Sequence, residues 1–247
     1  MRGLSKFTWV EIKLFLREPF MAFFTLAFPL MMLFLFGSIY GNAPSRLFGG
    51  LGSVDVSVPG YAAMIIATSG LLSLNITIAS QRELGILRRL KATPLRPQTI
   101  LSGQVAVILL MTLVGMLLLV AAGKAVYNMR LPVNPLNVLA AFLISSLSFF
   151  AFGFVVAGFS PSARSAQIVG MVLFYPMLFL SGATIPREVL PATVQHYAQF
   201  LPLTHAVTLL RGMWFGDAWS LHLTEVGILT GLLIVAVAVS AKTFRWE

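Results

Sequence analysis

ELGILRRLKATPLRP, Glu83 to Pro97, is a basic, helix-patterned segment in a 247-residue chain that is 58% hydrophobic and only 10% charged. Leu84, Leu87 and Leu90 recur at three-residue spacing with Ile86 beside them, while Arg82, Arg88, Arg89 and Lys91 take other positions. The pattern predicts an amphipathic helix of about two to three turns, over about 82–92. Glu83 lies near its start, where a carboxylate suits the helix dipole, and the cations follow toward its end. Pro94 and Pro97 stop it, because proline disfavours helical backbone in the preceding residue. A loop that merely sets membrane orientation would account for the charge, but not for the leucine spacing, the placed glutamate or the proline stops. An apolar ridge rimmed by charge is suited to entering a groove on a soluble partner.

The flanks of this segment are apolar runs long enough to cross a bilayer, which takes about 20 helical residues. Six such runs are read along the chain, at about 20–40, 60–80, 99–122, 136–159, 166–184 and 222–242. Mean hydropathy is +0.90, far above that of a soluble domain. Pro29 and Pro176 fall inside spans, where neighbouring helices can re-satisfy the freed backbone groups. No cleavable leader is expected, since the first apolar run begins near Met21 and lacks a small-residue cleavage site. With no cysteine, disulfides, iron–sulfur centres and thiolate nucleophiles are excluded.

The net charge of +9 reads as topology rather than nucleic-acid binding. Arg2, Lys6, Lys13, Arg17, Arg82, Arg88, Arg89, Lys91, Arg96, Arg164, Lys242 and Arg245 fall on one side of the six spans. Arg46, Lys124, Arg130, Arg187 and Arg211 fall on the other. This bias predicts that both termini are cytoplasmic, in a multi-pass protein of the cell (inner, cytoplasmic) membrane. Arg2, Lys6, Lys13 and Arg17 share a narrow helical face, with Trp9, Ile12, Phe15 and Leu16 elsewhere. That predicts an amino-terminal interfacial helix resting on the inner leaflet.

No span carries Asp, Glu, Lys or Arg near its centre, which argues against a proton-driven antiporter and a voltage sensor. The polar residues within spans are mild: Asn75, Thr77, Gln104, Ser145, Ser146 and Ser148. They suit hydrogen bonding between helices, with lining of a substrate route as the alternative. The chain has no G-x-x-x-x-G-K-[ST] loop to cradle phosphate and no G-x-S-x-G. His196, His205 and His222 show no metal-ligand spacing. No active site is legible, so the chain is read as no enzyme.

A second unusual stretch runs from Ser181 to Trp219 and is too polar and proline-broken to cross. It reads as two short outer helices over about 187–214, split at Pro202, either dipping into the outer leaflet or lying on its surface. Trp214 and Trp219 are expected at headgroup level.

Taken together, RELGILRRLKATPLRP (Arg82–Pro97) and LSGATIPREVLP…LPLTHAVTLLRGMWFG (Leu180–Gly216) resemble the membrane subunit of type 2 ABC exporters, in the daunorubicin/doxorubicin-resistance branch. The resemblance covers the whole chain, read as one transmembrane domain over 1–247. It implies an all-α integral membrane fold: six spans, an amino-terminal interfacial helix, a cytoplasmic coupling helix between spans two and three, and an outer re-entrant helix pair between spans five and six. It implies a second permease copy, identical or related, and a separate cytoplasmic ABC ATPase that holds ATP and Mg. Glu83, Leu84, Gly85, Leu87, Arg88 and Arg89 would meet that ATPase. Asn75, Thr77, Phe174 and Tyr175 are candidates for the substrate pathway. The implied cargo is a hydrophobic or amphipathic drug, antibiotic or lipid-like molecule, and no cofactor is expected in this chain. Export of a lipid-linked glycan is the main alternative, and sodium extrusion is weakened by the lack of buried carboxylates. A carrier or channel without an ATPase, or a membrane enzyme, would need mid-membrane or clustered polar groups not found here.

Overall fold

The computed structural model describes residues 19–86, 97–184 and 191–243. The predicted amino-terminal helix therefore lies outside the described residues. Among the described residues, six helices are long and apolar enough to cross a membrane. They are α1 (Pro19–Tyr40), α2 (Ser53–Glu83), α3 (Pro97–Tyr127), α4 (Pro135–Phe159), α5 (Ala163–Leu180) and a last helix preceded by a 3-10 turn at Trp219–His222. Between the fifth and the last come α6 (Ala192–Ala198) and α7 (Pro202–Phe215), so the last is α8 (Leu223–Thr243).

The second span is longer than the sequence suggested, starting at Ser53 instead of near 60. Its 31 residues extend ~46 Å, well beyond a hydrocarbon core of about 30 Å. The polar stretch SVDVSVPG is helical with Asp55 satisfied in its first turn, although Pro59, in the second, removes the N–H that would bond Asp55 O.

α2 is the axis of the bundle. Of its most apolar window 89% is buried, against 28% for α1 and for α5 and 11% for the last span. α1 and α3 pack against it and each other; α4 and α5 pack against its other sides, and α8 lies outermost, along α4. Ser148 Oγ fastens that outer pair by donating to Leu229 O at 2.8 Å.

Two spans contain π-helical turns. Pro29 has no N–H for the carbonyl of Thr25, and the π turn Phe23–Ala27 lies where that ladder is interrupted. The second, Ser69–Leu74, is fully buried in α2. Thr25 Oγ1 and Ser73 Oγ join the two at 3.2 Å. Beside the α2 turn, a Cβ on Gly153 would collide with the carbonyl of Gly70, and one on Gly70 with that of Phe149. The missing side chains are what let α2 and α4 cross backbone to backbone.

α7 is not a surface helix. Leu203, Ala206, Leu209, Leu210, Met213 and Trp214 are buried against α2, α4 and α8. Trp214, expected at headgroup level, is 1% exposed, and its indole N–H donates to Arg130 O at 3.1 Å. A buried partner for that N–H replaces the interfacial water it would otherwise need.

Candidate functional site

The helix of α2 continues through Glu83. Leu84 ends it, and Gly85 turns away at φ +67°, a conformation that favours glycine. Arg82 and Glu83 thus belong to the last turn of α2, where the sequence pattern had begun a new helix. Leu87, Arg88 and Arg89, with the remainder to Arg96, lie outside the described residues. At the described edge Leu84 is 65% and Ile86 37% exposed, so apolar side chains stand free beyond the charged pair.

Arg82 and Glu83 reach opposite ends of two other helices. Arg82 donates from Nη1 to Gly158 O at 3.5 Å and from Nη2 to Ser160 O, the last turn and C-cap of α4. Glu83 Oε2 accepts the N–H of Ala163, the first residue of α5, at 2.8 Å. The cation meets carbonyls left without helical partners, and the carboxylate meets such an amide. Both placements match the helix dipoles. Ser162 completes the start of α5, accepting from Ser165 N at 3.2 Å. Gln104 of α3 donates to Gln81 Oε1 one position earlier on α2.

Deeper in the bundle, Asn75 is fully buried, and its amide donates to Leu71 O at 3.1 Å and Ala166 O at 2.7 Å. Thr77 is half-buried, with Oγ1 3.5 Å from Met21 Sδ. Phe174 is fully buried, its ring centre 5.6 Å from that of Tyr175, which is 38% exposed. The four candidates are not brought together on one surface: Thr77 and Tyr175 reach one, Asn75 and Phe174 do not.

The end of the bundle opposite Glu83 holds polar groups that sequence reasoning passed over. Asp55 accepts from Arg130 N at 2.8 Å, Asn42 Nδ2 at 3.1 Å and Gly52 N at 3.4 Å, with Arg130 Nε at 3.8 Å. His222 is buried between Asp217, with Nε2–Oδ2 at 3.0 Å, and Glu225, with Nδ1–Oε2 at 3.7 Å. It borders a cavity of about 520 Å³ lined also by Val56, Thr208, Arg211 and Phe215. No cluster able to hold a metal occurs among the described residues. A lone acid in the apolar run VDVSV was the available signal, since such an acid needs a partner. Nothing in the sequence announced that Arg82 and Glu83 would grip the α4–α5 turn, because that contact joins residues about 80 positions apart.

"Nodulation protein J" of Rhizobium leguminosarum bv. viciae is 34% identical over 44% of this chain and 42% of its own length. "ABC transporter G family member 20" of Dictyostelium discoideum is 26% identical over 81% of this chain and 28% of its own. "Probable multidrug ABC transporter permease YbhR" of Escherichia coli (strain K12) is 25% identical over 74% of this chain and 50% of its own. The match thus spans half the length or less of each of these relatives. The ABC-2 type transporter family model matches residues 4–215, from ahead of α1 to the end of α7 and including the entire α2–α3 connection, and on that match the chain belongs to this family.

Proposed function

We propose that the chain is the membrane permease subunit of an ATP-driven exporter, itself non-catalytic, with ATP and Mg held by a separate cytoplasmic ATPase. The family match across the α2–α3 connection carries this reading. The exposed Leu84 and Ile86, at the root of the basic segment, support a docking role for it. Leu84, Leu87, Arg88 and Arg89 supply the contact, Gly85 makes the bend, and Glu83 stands at its base. Both termini then face the cytoplasm, the side where Lys and Arg are concentrated.

The cargo is hydrophobic or amphipathic, of the drug or lipid-like kind. Support comes from the uncharged span centres and from the multidrug designation of the relative YbhR. Thr77, half-buried on α2, and Tyr175, exposed on α5, line the route. Asn75 and Phe174 lie behind them, buried in the bundle. A second copy of the chain completes the pathway against α1 and α5, where Leu35, Ile39, Val172 and Phe179 are exposed.

Co-purification from mildly solubilised membranes tests this reading. A soluble ATPase is expected in near-equal amount, and Leu87→Asp is expected to release it while the permease still inserts. Normal ATPase association and nucleotide response in Leu87→Asp would remove the docking role.

A further inference from the structure

The cytoplasmic half of α2 is stitched to its neighbours at several levels. At the lowest, consecutive residues of opposite charge hold opposite helix ends: Arg82 the carbonyl end of α4, Glu83 the amide end of α5. Two turns higher, the Asn75 amide holds Ala166 O at 2.7 Å. Higher still, a Cβ on Gly170 of α5 would collide with Leu71 O, so the backbones of α2 and α5 nearly touch. Gly70 and Gly153 make the corresponding approach between α2 and α4. Close-packed interfaces of this kind transmit displacement instead of absorbing it. At the level of these glycine contacts the α2 ladder passes through the π turn Ser69–Leu74, whose register differs from the regular helix on either side.

We propose that Arg82 and Glu83 are positioning residues that lock the α4–α5 turn to the last turn of α2, with the Glu83 carboxylate serving this clamp and not the ATPase surface. The inference rests on the reading of the chain as an ATPase-driven permease. A displacement delivered beyond Gly85 reaches α2 at Glu83, and from there the amide end of α5 and the carbonyl end of α4. The three cytoplasmic helix ends move as one block. The side-chain chemistry is selective: the Ala163 N–H needs an acceptor, and the two α4 carbonyls need a forked donor. A docking contact on a basic surface would instead need the Glu83 charge.

The absence of native cysteine permits a direct test. Arg164, exposed in the first turn of α5, is replaced in Arg164→Cys, and the complex with its ATPase is placed in phosphatidylethanolamine/phosphatidylglycerol nanodiscs. Maleimide labelling is timed without nucleotide and with ATP plus orthovanadate. In the otherwise unaltered chain the rate is expected to change about fivefold. In Arg82→Ala and in Glu83→Ala the change is expected to fall below about twofold, with the ATPase still bound in near-equal amount. Glu83→Gln, which keeps an acceptor, is expected to retain the response, and Arg82→Lys, which loses the fork, to retain little of it. If Arg82→Ala does not fold, the two Glu83 variants decide. A full response in Glu83→Ala, loss of the response in Glu83→Gln, or release of the ATPase by Glu83→Ala overturns the clamp. If the unaltered chain retains no ATPase, the proposed function itself fails, and the clamp's role with it.

Discussion

Asp55 sits at 4% exposure in the first turn of α2, at the end of an apolar bundle opposite Glu83. A carboxylate removed from water must recover its lost solvation from hydrogen bonds. Three N–H groups do this here, from Asn42, Gly52 and Arg130, and Asn42 returns the favour by accepting from Asp55 N at 3.1 Å. The side chain of Asn42 also reaches Tyr127 O at 3.3 Å. One acid therefore ties together the α1–α2 connection, the start of α2 and the α3–α4 connection. Asp55→Ala leaves those donors without their acceptor and is expected to cost about 2–3 kcal/mol. Asp55→Asn keeps one acceptor oxygen and is expected to cost less. Thermal unfolding in detergent, followed by size-exclusion chromatography, reads both; equal melting of Asp55→Ala and the parent chain would refute the assignment. The sequence showed an acid near a span but not its partners, which come from three separate stretches of chain.

The helices themselves were largely legible, because a six-fold pattern of long apolar runs admits few other readings. What the pattern missed were the ends and the depth. Span two was begun late because a proline and an aspartate look like loop chemistry. Arg82 and Glu83 look in sequence like the start of a new amphipathic turn, but they close α2. Gly85, at φ +67°, makes the break after them. Burial was equally hidden: every span is apolar, so hydropathy does not distinguish the axial α2 from the peripheral α8. Glycines distinguish them by what surrounds each one. Gly153 of α4 has the Gly70 carbonyl where a Cβ would go, whereas a Cβ on Gly231 of α8 would meet no other part of the bundle within 4 Å. Gly153→Ala is expected to push the α2–α4 crossing apart at a cost of about 1–3 kcal/mol. Gly231→Ala is expected to be neutral or to stabilise by up to about 1 kcal/mol, since alanine is the better helix former. The two variants share one chemistry, so a comparable loss of folded protein from both would show that the crossing is not what constrains Gly153.

At the scale of the whole molecule, the proposed function asks the basic segment between α2 and α3 to do two things, to mark the cytoplasmic side and to receive a partner. The candidate site was legible as a pattern, in the leucine spacing and proline stops, but its connection to the rest of the bundle was not. That connection runs through Arg82 and Glu83 to helix ends whose exposed backbone groups no side-chain pattern records. The two roles can be separated because orientation is a sum over many cations, whereas docking depends on particular ones. Outside this loop, Arg2, Lys6, Lys13, Arg17, Arg164, Lys242 and Arg245 remain on the proposed inner side. Reversing two charges in the loop leaves that excess over Arg46, Lys124, Arg130, Arg187 and Arg211 in place. The double variant Arg88→Glu/Arg89→Glu is therefore expected to insert in the parent orientation, with a cysteine introduced near Lys242 labelled only after the membrane is opened from the inside. Its affinity for the ATPase is expected to drop about tenfold or more, because two attractive contacts become repulsive ones. If the double variant inverted, the arginines would act in orientation beyond their share of the sum. If it kept both its orientation and its ATPase, the contact would rest on the apolar ridge of Leu84 and Leu87, and the charge around that ridge would serve the membrane alone.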